Sequence, residues 1–213
     1  MRAIFLDRDG VICENRSDYV KSWREFKFLP GAKQSLAALR YLGLPIIVVT
    51  NQSAIGRGVV PANVVDHIHR RMVAEIQAYG GQISKVYCCP HHPEAGCVCR
   101  KPQPGMLQQA AQELGVELNG SYMIGDAMSD LRAGQQAGCH PILVLTGRGL
   151  PQLAPALASM NKPFTITGNL MQAASYIYRL ERPTNQTARP NAMNGAIPPQ
   201  EFGLLAGNLS LRK

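Results

Sequence analysis

The first constraints come from what this sequence has little of. No apolar run approaches the ~18–20 residues of a membrane span. One arginine, Arg2, precedes the first apolar segment, so neither a signal peptide nor a membrane anchor is expected and a cytoplasmic enzyme is the expectation. Aromatics are 6% of the 213 residues, and Asp and Glu are outnumbered 14 to 22 by Lys and Arg. The resulting net charge of +8 attracts anions such as phosphates, nucleic acid or a membrane surface, or simply gives a solvated basic face. The cations are scattered and the aromatic platforms few, which weakens a nucleic-acid reading. A small phosphorylated molecule needs only two or three of them. No internal repeat is visible.

What is present suffices for one core: 46% of residues are hydrophobic, and roughly 100–200 residues are expected per domain. Strands are expected over Ala3–Asp7, Pro45–Thr50, Lys85–Cys88, Tyr122–Gly125 and Ile142–Thr146. Helices are expected between them. One follows Gly31 with Leu36, Leu39 and Leu42 on one face. A second starts near Pro61 and carries Val64, Val65, Ile68, Met72 and Ile76 at helical spacing. A third follows Lys101-Pro102 with Met106, Leu107 and Leu114, a fourth runs from Asp126 to about Gly138, and a last covers about Leu170–Leu180. Strands alternating with helices of this length imply an α/β fold with a doubly wound parallel sheet. From Arg182 onward Pro, Asn, Thr, Gln and Gly dominate. The expectation is one domain over 1–181 and a disordered tail over 182–213.

The segment Asp7-Arg8-Asp9-Gly10 carries the strongest chemistry. Two carboxylates at i and i+2 of an extended chain point the same way. At the carboxyl end of a parallel strand they face the crevice where open α/β sheets bind ligands. Such a pair suits a hard metal ion, a carboxylate nucleophile and a general acid. The second strand ends in Thr50-Asn51-Gln52-Ser53, hydroxyl and amide donors suited to an anion. Another ends in Gly125-Asp126, followed by Asp130. Arg100-Lys101 supplies cations just before a helix N-terminus.

Six cysteines are present, and Cys88, Cys89, Cys97 and Cys99 fall within twelve residues. Without a secretion signal this argues for metal rather than disulfides. Cys89, His91, Cys97 and Cys99 make a closed tetrahedral set for a structural zinc in the loop 88–101. Cys88 and His92 are adjacent alternatives. Cys13 and Cys139 are expected to be buried thiols, and His67 and His69 to lie on the surface of the second helix.

In this order, Asp7-x-Asp9-Gly10, Thr50, Lys101 and Gly125-Asp126-x-x-x-Asp130 resemble the haloacid dehalogenase superfamily over about residues 1–150. The resemblance implies a Rossmannoid fold with a minimal cap, its place taken by the zinc loop. It also implies roles. Asp7 is the nucleophile and Asp9 the acid and base. Thr50 and Lys101 hold the phosphoryl oxygens. Mg²⁺ sits on Asp7, the Asp9 carbonyl and Asp126, while Asp130 positions Lys101 or the metal waters. Asn51, Gln52, Ser53, Arg57 and Arg100 contact the substrate, with Arg57 able to reach a distal phosphate. Trp23 lines the entrance or packs in its loop.

The zinc loop before Arg100-Lys101-Pro102 makes the chain similar to the branch holding heptose 1,7-bisphosphate 7-phosphatases and histidinol-phosphate phosphatases. The expectation is a monomeric Mg²⁺-dependent phosphatase acting on the 7-phosphate of a heptose bisphosphate, in the supply of heptose for lipopolysaccharide or other surface glycans. Histidinol phosphatase, DNA 3′-phosphatase and a non-catalytic zinc module binding nucleic acid are the alternatives. Two positions depart from the pattern: Val11 stands where members usually have Thr, and Ala127 where many heptose enzymes have Lys.

Overall fold

The structure is a computed structural model that describes residues 1–182; the tail expected over 182–213 lies, apart from Arg182, outside the described residues. Six parallel strands form one sheet: β1 (Ile4–Leu6), β2 (Ile46–Asn51), β3 (Lys85–Cys89), β4 (Tyr122–Gly125), β5 (His140–Val144) and β6 (Thr165–Thr167). Their order is β3-β2-β1-β4-β5-β6, so the sheet is doubly wound and reverses direction between β1 and β4. Leu6 sits level with Val48 of β2 and Ile124 of β4. The residues that follow these positions therefore emerge at one edge, and Asp7, Thr50 and Asp126 all lie there.

The helices are α1 (Ala32–Arg40), α2 (Ser53–Gly56), α3 (Ala62–Ala78), α4 (Gly105–Leu114), α5 (Met128–Ala137), α6 (Gly149–Ser159) and α7 (Leu170–Glu181). The pleat divides the core between the two sheet faces. Ile4, Leu6 and Val48 point to the side packed with Leu36 of α1, Ile68 and Met72 of α3 and Ile177 of α7. Ala3, Phe5, Ile47 and Val49 point to the other side, against Met106 and Leu107 of α4 and Ala133 of α5. Each fully buried Ile, Leu or Met stabilises by about 1.5–3 kcal/mol relative to exposure.

Several expectations shift. Leu42 lies beyond the end of α1 yet packs on its core face. Strand β5 begins at His140, not Ile142, and ends before Thr146, whose hydroxyl donates to the Gly10 carbonyl at 2.6 Å. The sequence reading left out β6, a three-residue edge strand, and α6, which holds Pro155 inside its helix. His69 is buried, not on the surface as expected. It shares one face of α3 with Val65, Ile68, Met72 and Ile76, and a polar partner described below meets its ring. Cys13 and Cys139 are buried.

Candidate active site

Asp7, Asp126 and Asp130 each present a carboxylate oxygen, all within 4.8 Å of one another and all buried. Three anions so close are tolerable only with cations among them. Lys101, 2% exposed, supplies one: its Nζ lies 3.0 Å from Asp7 Oδ1 and 2.7 Å from Asp130 Oδ1, and donates to the Val49 carbonyl at 2.7 Å. Burial disfavours the Lys101 charge, but Asp130 and Asp7 outweigh it and hold the ammonium above its ordinary pKa. The Asp130 carboxylate also accepts from the Ala127 N–H at the start of α5, which anchors it to the protein.

Burial pushes the Asp7 carboxyl up to about 6, against the pull of Lys101. Asp126 is likewise pushed up to about 6 by burial and by the charge of Asp7. Both readings describe a site short of positive charge. Asp126 Oδ1 has no hydrogen-bond partner, and the Arg148 guanidinium is 3.6 Å away, beyond bonding distance. The other oxygen, Oδ2, accepts from the Arg148 backbone N–H at 2.8 Å. Around it the chain comes very close: a Cβ on Gly10 or Gly147 would lie 2.0 or 2.3 Å from Asp126 Oδ2. An orphaned buried oxygen among carboxylates fits a hard divalent cation with oxygen ligands.

The side chain of Asp9, which lines the same cleft, has its own set of partners. Arg8 holds it as a fork, Nε to Oδ2 at 3.1 Å and Nη2 to Oδ1 at 2.9 Å. Gln52 Nε2 adds a bond to Oδ2 at 2.8 Å. Burial opposes ionisation of Asp9, but the Arg8 guanidinium outweighs it and holds the carboxyl below its ordinary pKa. Thr50 is fully buried; its hydroxyl oxygen accepts from Gln52 Nε2 at 2.8 Å, leaving its own proton to donate.

A cleft of about 660 Å³ opens over these groups, lined by Asp7 and Asp9 on its floor. Asn51, Gln52, Ser53, Arg57 and Arg100, the residues expected to contact substrate, line it together with Lys101. The Asn51 amide is committed to the protein, however: it bonds the Lys101 carbonyl at 3.0 Å and the Lys101 N–H at 3.1 Å, fixing the lysine loop to β2. Gln52 is likewise spent on Asp9, Thr50 and Arg8. Arg100 Nη1 is buried without a partner among the described residues. Trp23 is not on the wall: it stacks on Phe26 at 5.0 Å, with the Arg71 guanidinium 4.9 Å from its ring. Tyr19 lines the cleft instead. Sequence reasoning passed over Arg8, Asn15, Arg16 and Arg148. Arg148 lies in no motif, four residues beyond the end of β5.

Beside the cleft, Cys89, His91, Cys97 and Cys99 form a second cluster. Cys89 Sγ is 3.6 Å from Cys97 and 3.3 Å from Cys99, and Cys99 is 3.4 Å from Cys97 and 3.2 Å from His91 Nδ1. Four-coordinate zinc with thiolates at ~2.3 Å and an imidazole at ~2.05 Å has tetrahedral edges of about 3.6–3.8 Å, and these four donors lie within about half an ångström of that cage. Cys88 packs with the Ala54, Val60 and Val65 cluster, and His92 Nδ1 accepts from the Glu94 N–H. Neither alternative joins the cage. The loop is tied at both ends, by Gly56 N–H to the Pro90 carbonyl and Gly105 N–H to the Val98 carbonyl. Between β3 and α4 this loop is all the chain provides over the cleft.

Comparison with known proteins decides the family. A heptose 1,7-bisphosphate 7-phosphatase of Pseudomonas aeruginosa is 40% identical over 154 residues, 72% of this chain and 86% of that protein. The enzyme of the same name from Vibrio cholerae is 34% identical over 84% of this chain and 98% of its own. A HAD-hydrolase-like family model matches residues 98–173. This chain belongs to the HAD-like hydrolases. The crystal structure of a D,D-heptose 1,7-bisphosphate phosphatase from B. bronchiseptica, complexed with magnesium and phosphate, superimposes with a TM-score of 0.80 at 36% identity. The match covers 84% of this chain and 99% of that one. The corresponding enzyme from Burkholderia thailandensis gives 0.66 at 29% identity over the same shares. In this HAD-like frame Asp7 and Asp126 flank the sheet reversal, where the fold opens. Among the described residues no helix is long and apolar enough to cross a membrane.

Proposed function

We propose that this chain hydrolyses the 7-phosphate of D-glycero-D-manno-heptose 1,7-bisphosphate through an aspartyl phosphate on Asp7. The observation that carries the reading is the meeting of Asp7 and Lys101 at the floor of a cleft whose wall bears Arg16, Arg57, Arg100 and Arg148, with the buried Asp126 carboxylate within 4.8 Å of that of Asp7. The heptose assignment takes its support from the relatives' names.

An Asp7 oxygen attacks phosphorus, and the bond from phosphorus to the C7 oxygen breaks as that oxygen takes a proton from Asp9, whose carboxyl the negative charge of the bound phosphate raises against the pull of Arg8. Water then attacks the same phosphorus, giving its proton to Asp9, and the acyl–phosphate bond breaks to release phosphate and restore the Asp7 carboxylate. Lys101 and Thr50 hold the phosphoryl oxygens where charge accumulates. Mg²⁺, when bound by Asp7, the Asp9 carbonyl and Asp126, would offset the charge of the carboxylates and of the phosphoryl group. Asp130 and Asn51 position Lys101. Ser53, Arg57 and Arg100 face the rest of the substrate, Gln52 steadies Asp9, and Arg148 supplies a cation beside Asp126. Zinc on Cys89, His91, Cys97 and Cys99 pins the loop that carries Arg100 and Lys101.

The chain is taken to act as a monomer on a small molecule. A phosphorylated substrate and a thiolate metal site both fit the cytoplasm, where the product would feed lipopolysaccharide heptose. A phosphate-release comparison tests the reading. Heptose bisphosphate should exceed histidinol phosphate and 3′-phosphorylated DNA by at least about tenfold in kcat/KM, about 1.4 kcal/mol. A better rate on histidinol phosphate would move the assignment to that substrate.

A further inference from the structure

Arg8 is among the most deeply buried side chains, 1% exposed, and sits between the two carboxylates of the opening motif. A buried guanidinium is costly unless its donors are met. Nε and Nη2 are met by Asp9, and Nη2 also by Gln52 Oε1 at 3.0 Å. Nη1 reaches back to α3, where His69 Nε2 stands 3.1 Å away. A guanidinium nitrogen can only donate, so Nε2 accepts and the ring proton is on Nδ1. Burial and Arg8 push the His69 pKa down to about 3, in keeping with a neutral ring.

The neutrality of that acceptor matters. Gln52 and His69 satisfy donors without bringing charge, so among the described residues Asp9 is the one carboxylate in the Arg8 ion pair. A carboxylate in place of His69 would compete for the same guanidinium. We propose that His69 is a positioning residue for the hydrolytic half of the reaction: by accepting from Arg8 Nη1 it holds the guanidinium fork on Asp9, and so keeps the Asp9 carboxylate aimed and ready to take the proton of the attacking water. The inference rests on the reading of Asp9 as the base.

The test separates the two chemical steps with p-nitrophenyl phosphate, whose leaving group departs without a proton. Quenched-flow kinetics on the Mg²⁺-loaded full chain give the rate constants for forming and for hydrolysing the phosphoenzyme. His69→Leu should slow hydrolysis of the phosphoenzyme at least about tenfold, a fraction of what a general base contributes. It should change phosphoenzyme formation by less than about threefold. His69→Gln keeps a neutral acceptor and should restore most of the hydrolysis rate. His69→Glu satisfies Arg8 but draws it off Asp9, and should be as slow as His69→Leu even though it folds.

A role in packing alone predicts the reverse for that variant. Wild-type hydrolysis in His69→Glu, or equal slowing of both steps in His69→Leu, overturns the proposal. If His69→Leu does not fold, His69→Gln against His69→Glu decides. Asp9→Asn is run beside them. If it slows hydrolysis and His69→Leu does not, the His69 role alone fails. If Asp9→Asn leaves hydrolysis untouched, the reading of Asp9 as base fails and the proposal with it.

Discussion

The ammonium of Lys101 lies 3.0 Å from Oδ1 of Asp7, with both side chains almost wholly shielded from water. The contact joins the end of β1 to a loop nearly a hundred residues further along the chain, and it sets the first expected outcome. Asp7→Asn keeps the shape and removes the attacking charge. Turnover should fall by a factor on the order of 10³ or more, because a covalent step is lost. Stability should hold, since Lys101 keeps Asp130 and one repelling anion is gone. Thermal melting and initial rates on the same preparation check both halves; a variant with a tenth of wild-type activity would remove Asp7 from the nucleophile's role.

Proton and metal compete for the same carboxylates. Asp7 and Asp126 have folded-state values of about 6, above the ordinary carboxylate value near 3.8. A raised folded value means that the folded state holds the proton longer, so these two groups lower stability as pH rises from about 4 to about 6. Magnesium offsets that loss only once the protons are gone. The rise in melting temperature on adding Mg²⁺ should therefore be larger at pH 7.5 than at pH 5. An equal rise at both values would contradict the site.

The expected zinc has a separate signature. Purified protein should hold about one tightly bound zinc per chain by elemental analysis, and Cys99→Ser should lose it. Melting temperature should drop on zinc loss, and activity with it, because Arg100 and Lys101 follow the fourth ligand directly. Stripping Mg²⁺ with a mild chelator should abolish activity reversibly and leave the melting temperature nearly unchanged at low pH. A zinc-free protein with a normal melting temperature would rule out the structural metal.

The sheet was legible in the sequence, as were Asp7 and Asp126, because β1 and β4 each run straight into an Asp, and Lys101 because it stands just before the start of α4. Tyr122–Gly125 was placed to the residue. Strand β6 and helix α6 escaped for local reasons. Thr165–Thr167 is too short to show alternation, and Pro155 reads as a helix breaker although tertiary packing of Ala156 keeps the helix whole. His69 misled for a different reason: a histidine on a helix next to apolar neighbours gives no sign that a buried arginine 61 residues away needs an acceptor. Arg148 belonged to no motif, and its place beside Asp126 came only with the fold.

Specificity should reside in the arginines of the cleft wall. Arg100→Ala should shrink the preference for a bisphosphate over a simple monophosphate by about tenfold, while lowering activity on the monophosphate less. An Arg–phosphate pair makes two parallel bonds and is worth more than one neutral hydrogen bond. Arg148→Ala should act in the same direction, since Arg148 lines the cleft beside Asp126. Parallel losses on both substrates would assign these arginines to the reacting phosphate instead.

The most direct test of the central claim asks which phosphate leaves. ³¹P NMR of heptose 1,7-bisphosphate with the Mg²⁺-loaded protein should show the 7-phosphate signal replaced by inorganic phosphate while the 1-phosphate signal persists in full. Loss of the 1-phosphate signal, or no change under conditions where another phosphate ester is hydrolysed, would contradict it.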